Sequence, residues 1–202
     1  MFRSFALFLL LGTVACGSAT PPTHPSPAAA AGRADQAGWL FSQGMAAADR
    51  GDSVRAEQYL SLARERGYPQ ERVLPVLLRV CLANTRLRAA LDYAEQYLRQ
   101  HPEQDSLRFL VASIHVGLGQ QEEALSELDS LIRRSPSFEE AHFLRAGLVA
   151  EKAPADAIGA LRQYLDLAPR GRNAAEARNR LSELLAHSEV PSSALGTEEA
   201  LP

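Results

Sequence analysis

The residue types that carry catalysis or bind metals are few in this chain and lie far apart. Only two cysteines and five histidines occur in its 202 residues. No histidine pair shows the HExxH spacing of a zinc protease, and no cysteine stands at metal-ligand spacing from a histidine. Gly117 and Gly119 lack the following Lys-Ser of a phosphate-binding loop, so we expect them to permit a turn. The sequence predicts no catalytic site, no metal and no cofactor, and an enzyme is the least favoured class.

Cys16 has the most specific chemistry, because it follows an apolar run that is typical of an export signal. The run covers residues 5–11 and is too short to span a bilayer. The four residues TVAC, which end at Cys16, resemble the bacterial lipobox, whose cysteine receives fatty acyl chains such as palmitate and becomes the new N-terminus. Residues 1–15 are therefore expected to be a lipoprotein signal peptide.

Residues 16–36 are rich in proline, alanine and serine, and we expect them to form a flexible tether behind the lipidated cysteine. Gly17 follows the cysteine, where an aspartate would hold an enteric lipoprotein at the inner membrane. The expected localisation is therefore the outer membrane, lipid-anchored and facing the periplasm. A signal peptide cut near Ala15 or Ala19 without lipid, and an uncleaved anchor, stay open as alternatives.

Alanines and helix-ending prolines recur at a nearly fixed spacing along the rest of the chain. Ala56, Ala90 and Ala124 are 34 residues apart (90 − 56 and 124 − 90), and Ala157 follows 33 later (157 − 124). Prolines recur in nearly the same phase, at Pro69, Pro102, Pro136 and Pro169, with spacings of 33, 34 and 33 residues. Apolar residues at helical spacing fill each unit, most clearly over residues 106–136. The spacing indicates helical hairpins that repeat along the chain.

This pattern resembles the tetratricopeptide repeat (TPR), a helix-turn-helix unit of about 34 residues. The resemblance implies an all-α superhelical solenoid of four units, starting at Ala37, Glu71, Asp105 and Glu139. The segment 173–187 has one apolar face and is expected to be a C-terminal capping helix. The predicted TPR domain is thus 37–187, followed by a disordered tail over 188–202.

Two positions of the second unit depart from the pattern. Ala94 stands where Leu60, Leu128 and Leu161 stand in the other units, and we expect Tyr97 to restore the missing volume. Cys81 replaces an apolar packing residue and is expected to be a small buried hydrophobe.

The resemblance also implies a partner-binding groove, because the first helix of each TPR unit lines a concave face. The fifth residues of the units are Phe41, Pro75, Phe109 and Phe143, and the three phenylalanines are expected to anchor a partner there. The other residues expected to line the groove are Met45, Arg72, Arg79, Leu82, Ser113 and Val116. Such a groove would take an amphipathic helix or an extended peptide with an acidic residue. Packing of the phenylalanines between adjacent units is the alternative.

Charge patterning narrows the partner further. The net charge of −3 is spread along helix faces, so neither nucleic acid nor a small-molecule substrate is expected. Anchor, tether and solenoid together resemble the pilotin-type and barrel-assembly TPR lipoproteins of the bacterial cell envelope. This implies a non-catalytic adaptor that binds an envelope protein or peptide and assists assembly of a pilus, secretin or secretion complex. The alternative is a structural subunit of a motility, secretion or polysaccharide-export complex.

Overall fold

The computed structural model describes residues 27–189, and over that range the chain forms nine α-helices and no strand. The helices are α1 (Pro27–Asp49), α2 (Ser53–Glu65), α3 (Gln70–Ala83), α4 (Leu87–Leu98), α5 (Asp105–Gly117), α6 (Gln121–Arg134), α7 (Glu139–Val149), α8 (Pro154–Leu167) and α9 (Ala174–Glu189). The predicted signal peptide, Cys16 and residues 190–202 lie outside the described residues. None of the described helices is both long and apolar enough to cross a membrane.

Each helix packs chiefly against its neighbours in sequence, which gives four hairpins in a row with α9 against α8. Buried clusters join one hairpin to the next, so that Val73 and Leu77 of α3 share a cluster with Leu60 of α2. No hairpin buries its apolar faces alone, and stability therefore depends on stacking. The predicted all-α solenoid of four units with a C-terminal capping helix is confirmed.

Within a hairpin, a small residue of the first helix meets a large residue of the second. A Cβ added at Gly44 would lie 2.6 Å from Leu60 Cγ, so the first hairpin needs glycine there. The second hairpin reverses the sizes, because Leu78 of α3 is buried in one cluster with Ala94 of α4. Tyr97 lies outside that cluster and is only half-buried, so the predicted compensation by Tyr97 is wrong. The volume missing at Ala94 is supplied by the facing helix.

Two predicted boundaries are corrected by the helices at the ends of the array. Helix α1 begins at Pro27, so residues 27–36 are helical and do not belong to the predicted tether. A run of alanines over 28–31 favours helix, and proline is tolerated in a first helical turn. Helix α9 continues to Glu189 and takes in two residues of the predicted tail.

The turn inside each of the first three hairpins contains one left-handed residue at the same repeat position. Gly51, Thr85 and Gly119 are 34 residues apart (85 − 51 and 119 − 85), with φ of 77°, 55° and 73°. Glycine adopts this conformation freely. A left-handed conformation costs a residue with a Cβ about 1–2 kcal/mol, so the second turn is strained at Thr85.

Exchanging the residue types at these turns should change stability in opposite directions. Thr85→Gly is expected to raise the free energy of unfolding by about 0.5–1 kcal/mol, because relief of strain exceeds the entropy that glycine adds to the unfolded chain. Gly119→Thr should lower the free energy of unfolding by about 1–2 kcal/mol. No atom lies within 4 Å of a Cβ placed at Gly119, so only the backbone conformation opposes threonine there. Urea unfolding measures both changes, and a less stable Thr85→Gly variant would contradict the strain.

Cys81 is fully buried in the cluster between the second and third hairpins, as the sequence predicts. Burial raises the pKa of the Cys81 thiol to about 11, helped by the charge of Glu57 and opposed by that of Arg86. The thiolate is the reactive form of cysteine. Cys81 is therefore a packing residue with an unreactive thiol at neutral pH.

Thiol reactivity tests this assignment directly, because Cys81 is the only thiol left in a Cys16→Ser variant. At pH 8 the native protein should react with a thiol reagent at least about 100-fold more slowly than the urea-unfolded protein, since a rise of about two pKa units removes that much thiolate. Raising the pH toward 11 should narrow the difference. Equal rates in native and unfolded protein at pH 8 would show that Cys81 is accessible and ionised.

Candidate partner-binding groove

The buried titratable side chains of the array serve structure. His115 Nδ1 lies 3.0 Å from Gln120 Oε1, and His142 Nε2 lies 2.9 Å from the carbonyl oxygen of Pro136. Each bond ties the first helix of a unit to a neighbouring turn. Within residues 27–189, no three histidine, cysteine or acidic side chains stand close enough together to hold a metal ion.

Phe41 lies in the packing between the first and second units. Its ring stacks on Tyr68 with centroids 4.5 Å apart, and the guanidinium of Arg72 lies 5.4 Å from both ring centres. Phe41 also packs against the buried cluster of Leu60 and Val73. The ring is half-buried, and Arg72 covers it in a cation–π contact.

The other two predicted anchors are also half-buried. Phe109 packs on Phe138 at 5.4 Å, and Phe143 packs on Tyr164 at 5.3 Å with Arg180 5.1 Å from its ring centre. Both phenylalanines pack against buried clusters of the array. The structure thus gives all three phenylalanines a packing role, and their contribution to partner binding stays a prediction.

An apolar groove lies beside Pro75. Pro75 occupies the fifth position of the second unit, where the other three units have phenylalanine. The groove runs between α3 and α5 and has a volume of about 820 Å³. Its lining is Glu71, Leu74, Pro75, Leu78, Arg79, Leu82 and Ala83 of α3, with Tyr97, Gln104, Ser106, Leu107 and Leu110. Proline fills less space than phenylalanine at this position. We attribute the open groove to that difference, since the phenylalanines of the other units fill the spaces beside them.

Polar groups at the edge of this groove could orient a bound peptide. Arg79 is exposed and has no acidic side chain within 4.0 Å among the described residues. Pro75 has no N–H to donate to the carbonyl oxygen of Glu71 one turn earlier, which leaves an acceptor at the same edge. The groove therefore offers the cation of Arg79 near one end and the backbone acceptor and carboxylate of Glu71 near the other, beside an apolar floor. This arrangement suits a peptide with apolar side chains, an acidic side chain opposite Arg79 and an N–H donor opposite Glu71.

The predicted site residues divide between this groove and other parts of the array. Arg79 and Leu82 line it, whereas Arg72 covers Phe41. Three further predicted site residues do not line this groove and are half-buried elsewhere in the array: Met45, Ser113 and Val116. The reasoning from repeat positions missed its apolar floor of Leu74, Leu107 and Leu110. The sequence signal that could have revealed this floor is Pro75, the one proline at a repeat position that holds phenylalanine in the other three units.

A smaller hollow of about 470 Å³ lies between α7, α8 and α9. Ala146, Ala150 and Leu161 form its floor, and Arg180 and Glu183 stand at its edge. Both of these charged residues belong to the capping helix α9. Arg180 already forms an ion pair with Glu176 and a cation–π contact with Phe143. This hollow is therefore a weaker candidate for an acidic partner than the groove beside Pro75.

Comparison with known proteins supports the fold. No family model matches the chain, and no curated protein matches it. A TPR protein from Parabacteroides merdae superposes with a TM-score of 0.66 at 22% identity, covering 76% of this chain and 61% of its own. YrrB, a TPR protein with an unusual peptide-binding site, gives 0.59 at 19% identity, over 71% of this chain and 74% of its own.

The first TPR of Spaghetti (RPAP3), bound to the HSP90 peptide SRMEEVD, gives a TM-score of 0.52 at 20% identity. That match covers 57% of this chain and 90% of the other. The chain spans about three-fifths of the Parabacteroides merdae protein, whose match covers 61% of its length. At these identities the likeness concerns architecture, and the chain has the fold of tetratricopeptide repeat proteins.

Proposed function

We propose that this protein is a non-catalytic TPR adaptor of the bacterial envelope, and that it binds an apolar, acidic segment of an envelope protein in the groove between α3 and α5. The observation that carries the proposal is the open apolar groove beside Pro75, with Arg79 at its edge and no ion pair to Arg79 within residues 27–189. Two proteins of the same fold support peptide binding, because YrrB has a peptide-binding site and the first TPR of Spaghetti is bound to an HSP90 peptide. Their partners are their own, and the chemistry of this groove defines the partner here.

Membrane attachment is the second part of the proposal. The apolar run before Cys16 and the lipobox-like TVAC sequence support lipidation, and the Gly17 that follows supports the outer membrane. An adaptor held on a lipid with its array in the periplasm would meet envelope proteins during their assembly. Its role would then be to hold one component of a pilus, secretin or secretion complex.

Filling the groove should weaken binding without harming the fold. Pro75→Phe places at Pro75 the residue type that the other units carry, so its ring should occupy the space of the partner. Partner capture should fall at least tenfold, which corresponds to about 1.4 kcal/mol of binding free energy. The thermal midpoint should not fall, because the variant gains the backbone N–H that proline lacks. Quantitative mass spectrometry of crosslinked partners from membranes measures the capture.

Arg79→Glu provides an independent variant at the edge of the same groove, and Arg88→Glu is its control. Both arginines are exposed, but Arg88 lies on α4 and does not line the groove. Only Arg79→Glu should release an acidic partner, because it places a negative charge against the partner's carboxylates. Should Pro75→Phe and Arg79→Glu both retain the wild-type partner set, the groove is not the binding site.

The anchor is tested by fractionation of cells. Cys16→Ser should move the protein from the membrane to the soluble fraction and remove labelled palmitate, because acylation needs the Cys16 sulfur. Cys81→Ser is the matched control and should leave both properties unchanged, since Cys81 is buried in the array. A Cys16→Ser protein that stays on the membrane would show that another segment anchors it.

A further inference from the structure

In the second, third and fourth units, one face of the first helix stacks on the unit before it, and the third residue of the unit belongs to that face. Val73 is 0% exposed and packs with Leu60 of the preceding unit. Ala141 is 0% exposed and lies in one cluster with two leucines of α6. Leu107 packs against the cluster that contains Ala90 and Ala94 of α4. This repeat position is therefore a stacking position in the second, third and fourth units.

Trp39 occupies the same position in the first unit, where no described helix precedes it. Its side chain is 56% exposed, and it meets Tyr59 of α2 edge to face at 6.2 Å. Leu62, one turn along α2 from Tyr59, is 40% exposed. A tryptophan, a tyrosine and a leucine thus form an apolar surface at the start of the array, which we name the Trp39 face. Exposed apolar surface of this kind marks interaction sites.

The two ends of the array differ. At the far end α9 covers the last hairpin, and its Ala174 and Ala177 are 3% and 0% exposed. A second copy therefore finds a stacking face at one end and a covered hairpin at the other. Head-to-tail stacking of copies would need both ends of each array to be open. Pairing of two Trp39 faces needs only one open end per copy, and the assembly stops at two copies.

The charges around the Trp39 face suit such pairing. One end of the face carries Asp35 and also Arg66, which donates a 2.6 Å hydrogen bond to Gln36. The other end carries Arg55, which forms an ion pair with Asp52 at 3.5 Å within the same copy while its side chain stays 69% exposed. Because α1 and α2 run antiparallel, these two ends lie on opposite sides of the aromatic pair. Acidic and basic residues occur at both ends, so the face lacks the basic excess that an anionic lipid surface attracts.

We propose that the Trp39 face is a homodimer interface with a two-fold axis that crosses the helices. Trp39 and Tyr59 of one copy pack on the same residues of the other, completing the stack that each later unit makes with its predecessor. The axis brings opposite ends together, so Arg55 of each copy meets Asp35 of the other. The dimer leaves the groove between α3 and α5 uncovered, and the inference does not depend on the proposed partner.

Sedimentation equilibrium of the full-length protein in density-matched detergent tests the dimer. The wild type should show a monomer–dimer equilibrium, and Trp39→Ala should weaken the association at least tenfold with unchanged helical content. Leu167→Ala is the control, because Leu167 is 38% exposed on α8 and lies outside the Trp39 face. A monomeric wild type at every concentration, or a dimer that survives Trp39→Ala, overturns the proposal.

A charge exchange tests the two-fold arrangement. Arg55→Asp should weaken the dimer by repulsion from Asp35 of the other copy, and adding Asp35→Arg should restore it. A double variant as weak as Arg55→Asp alone would contradict this pairing. The chain has one tryptophan, so the emission of Trp39 should shift to shorter wavelength as the protein concentration rises. A shift caused only by phosphatidylcholine vesicles would overturn the dimer in favour of a membrane contact.

Discussion

Two helices of one hairpin can approach closely only where a small side chain of one meets a large side chain of the other. Gly44 shows how strict this constraint is, because even a Cβ there would collide with Leu60. Close approach leaves the remaining apolar side chains to be buried by the neighbouring hairpin, as Val73 is. The stacking of units, the covering of the last unit by α9 and the exposure of Trp39 at the first all follow from this division.

The groove between α3 and α5 is a local departure from the same packing. Where a unit has phenylalanine at its fifth position, an aromatic or a buried cluster covers the ring, as Tyr68 covers Phe41. The second unit has Pro75 instead and leaves the space open. The same residue removes a helical hydrogen bond beside the groove. One substitution in a repeat can thus create both an apolar floor and a polar edge without disturbing the rest of the array.

The repeat spacing was sufficient to predict the helices, because the alanines and prolines that set it are the residues that packing and helix ends require. The spacing also indicated which side chains leave each helix on the same face. It could not show how deeply Phe109 would be buried, because the covering Phe138 lies in a connection between units. It also assigned the volume missing at Ala94 to the wrong helix, because spacing within one helix does not show which side chain of the facing helix fills a gap. Residues 27–36 were mistaken for tether because alanine is common in both linkers and helices.

In the part of the chain that the structure describes, the hairpins stack with a groove beside Pro75 that has an apolar floor and Arg79 at its edge, where Arg79 makes no ion pair with another described residue. Only contact with a partner can show that this groove is used. Arg133 lies away from this groove, in a separate and more polar hollow of about 780 Å³ between α6, α7 and α8. A photo-crosslinking amino acid at Leu82 in the groove, compared with one at Arg133, measures contact with the partner in cells. The account predicts partner adducts from Leu82 and none from Arg133. Adducts from Arg133 alone would contradict it and place the binding surface between α6 and α8.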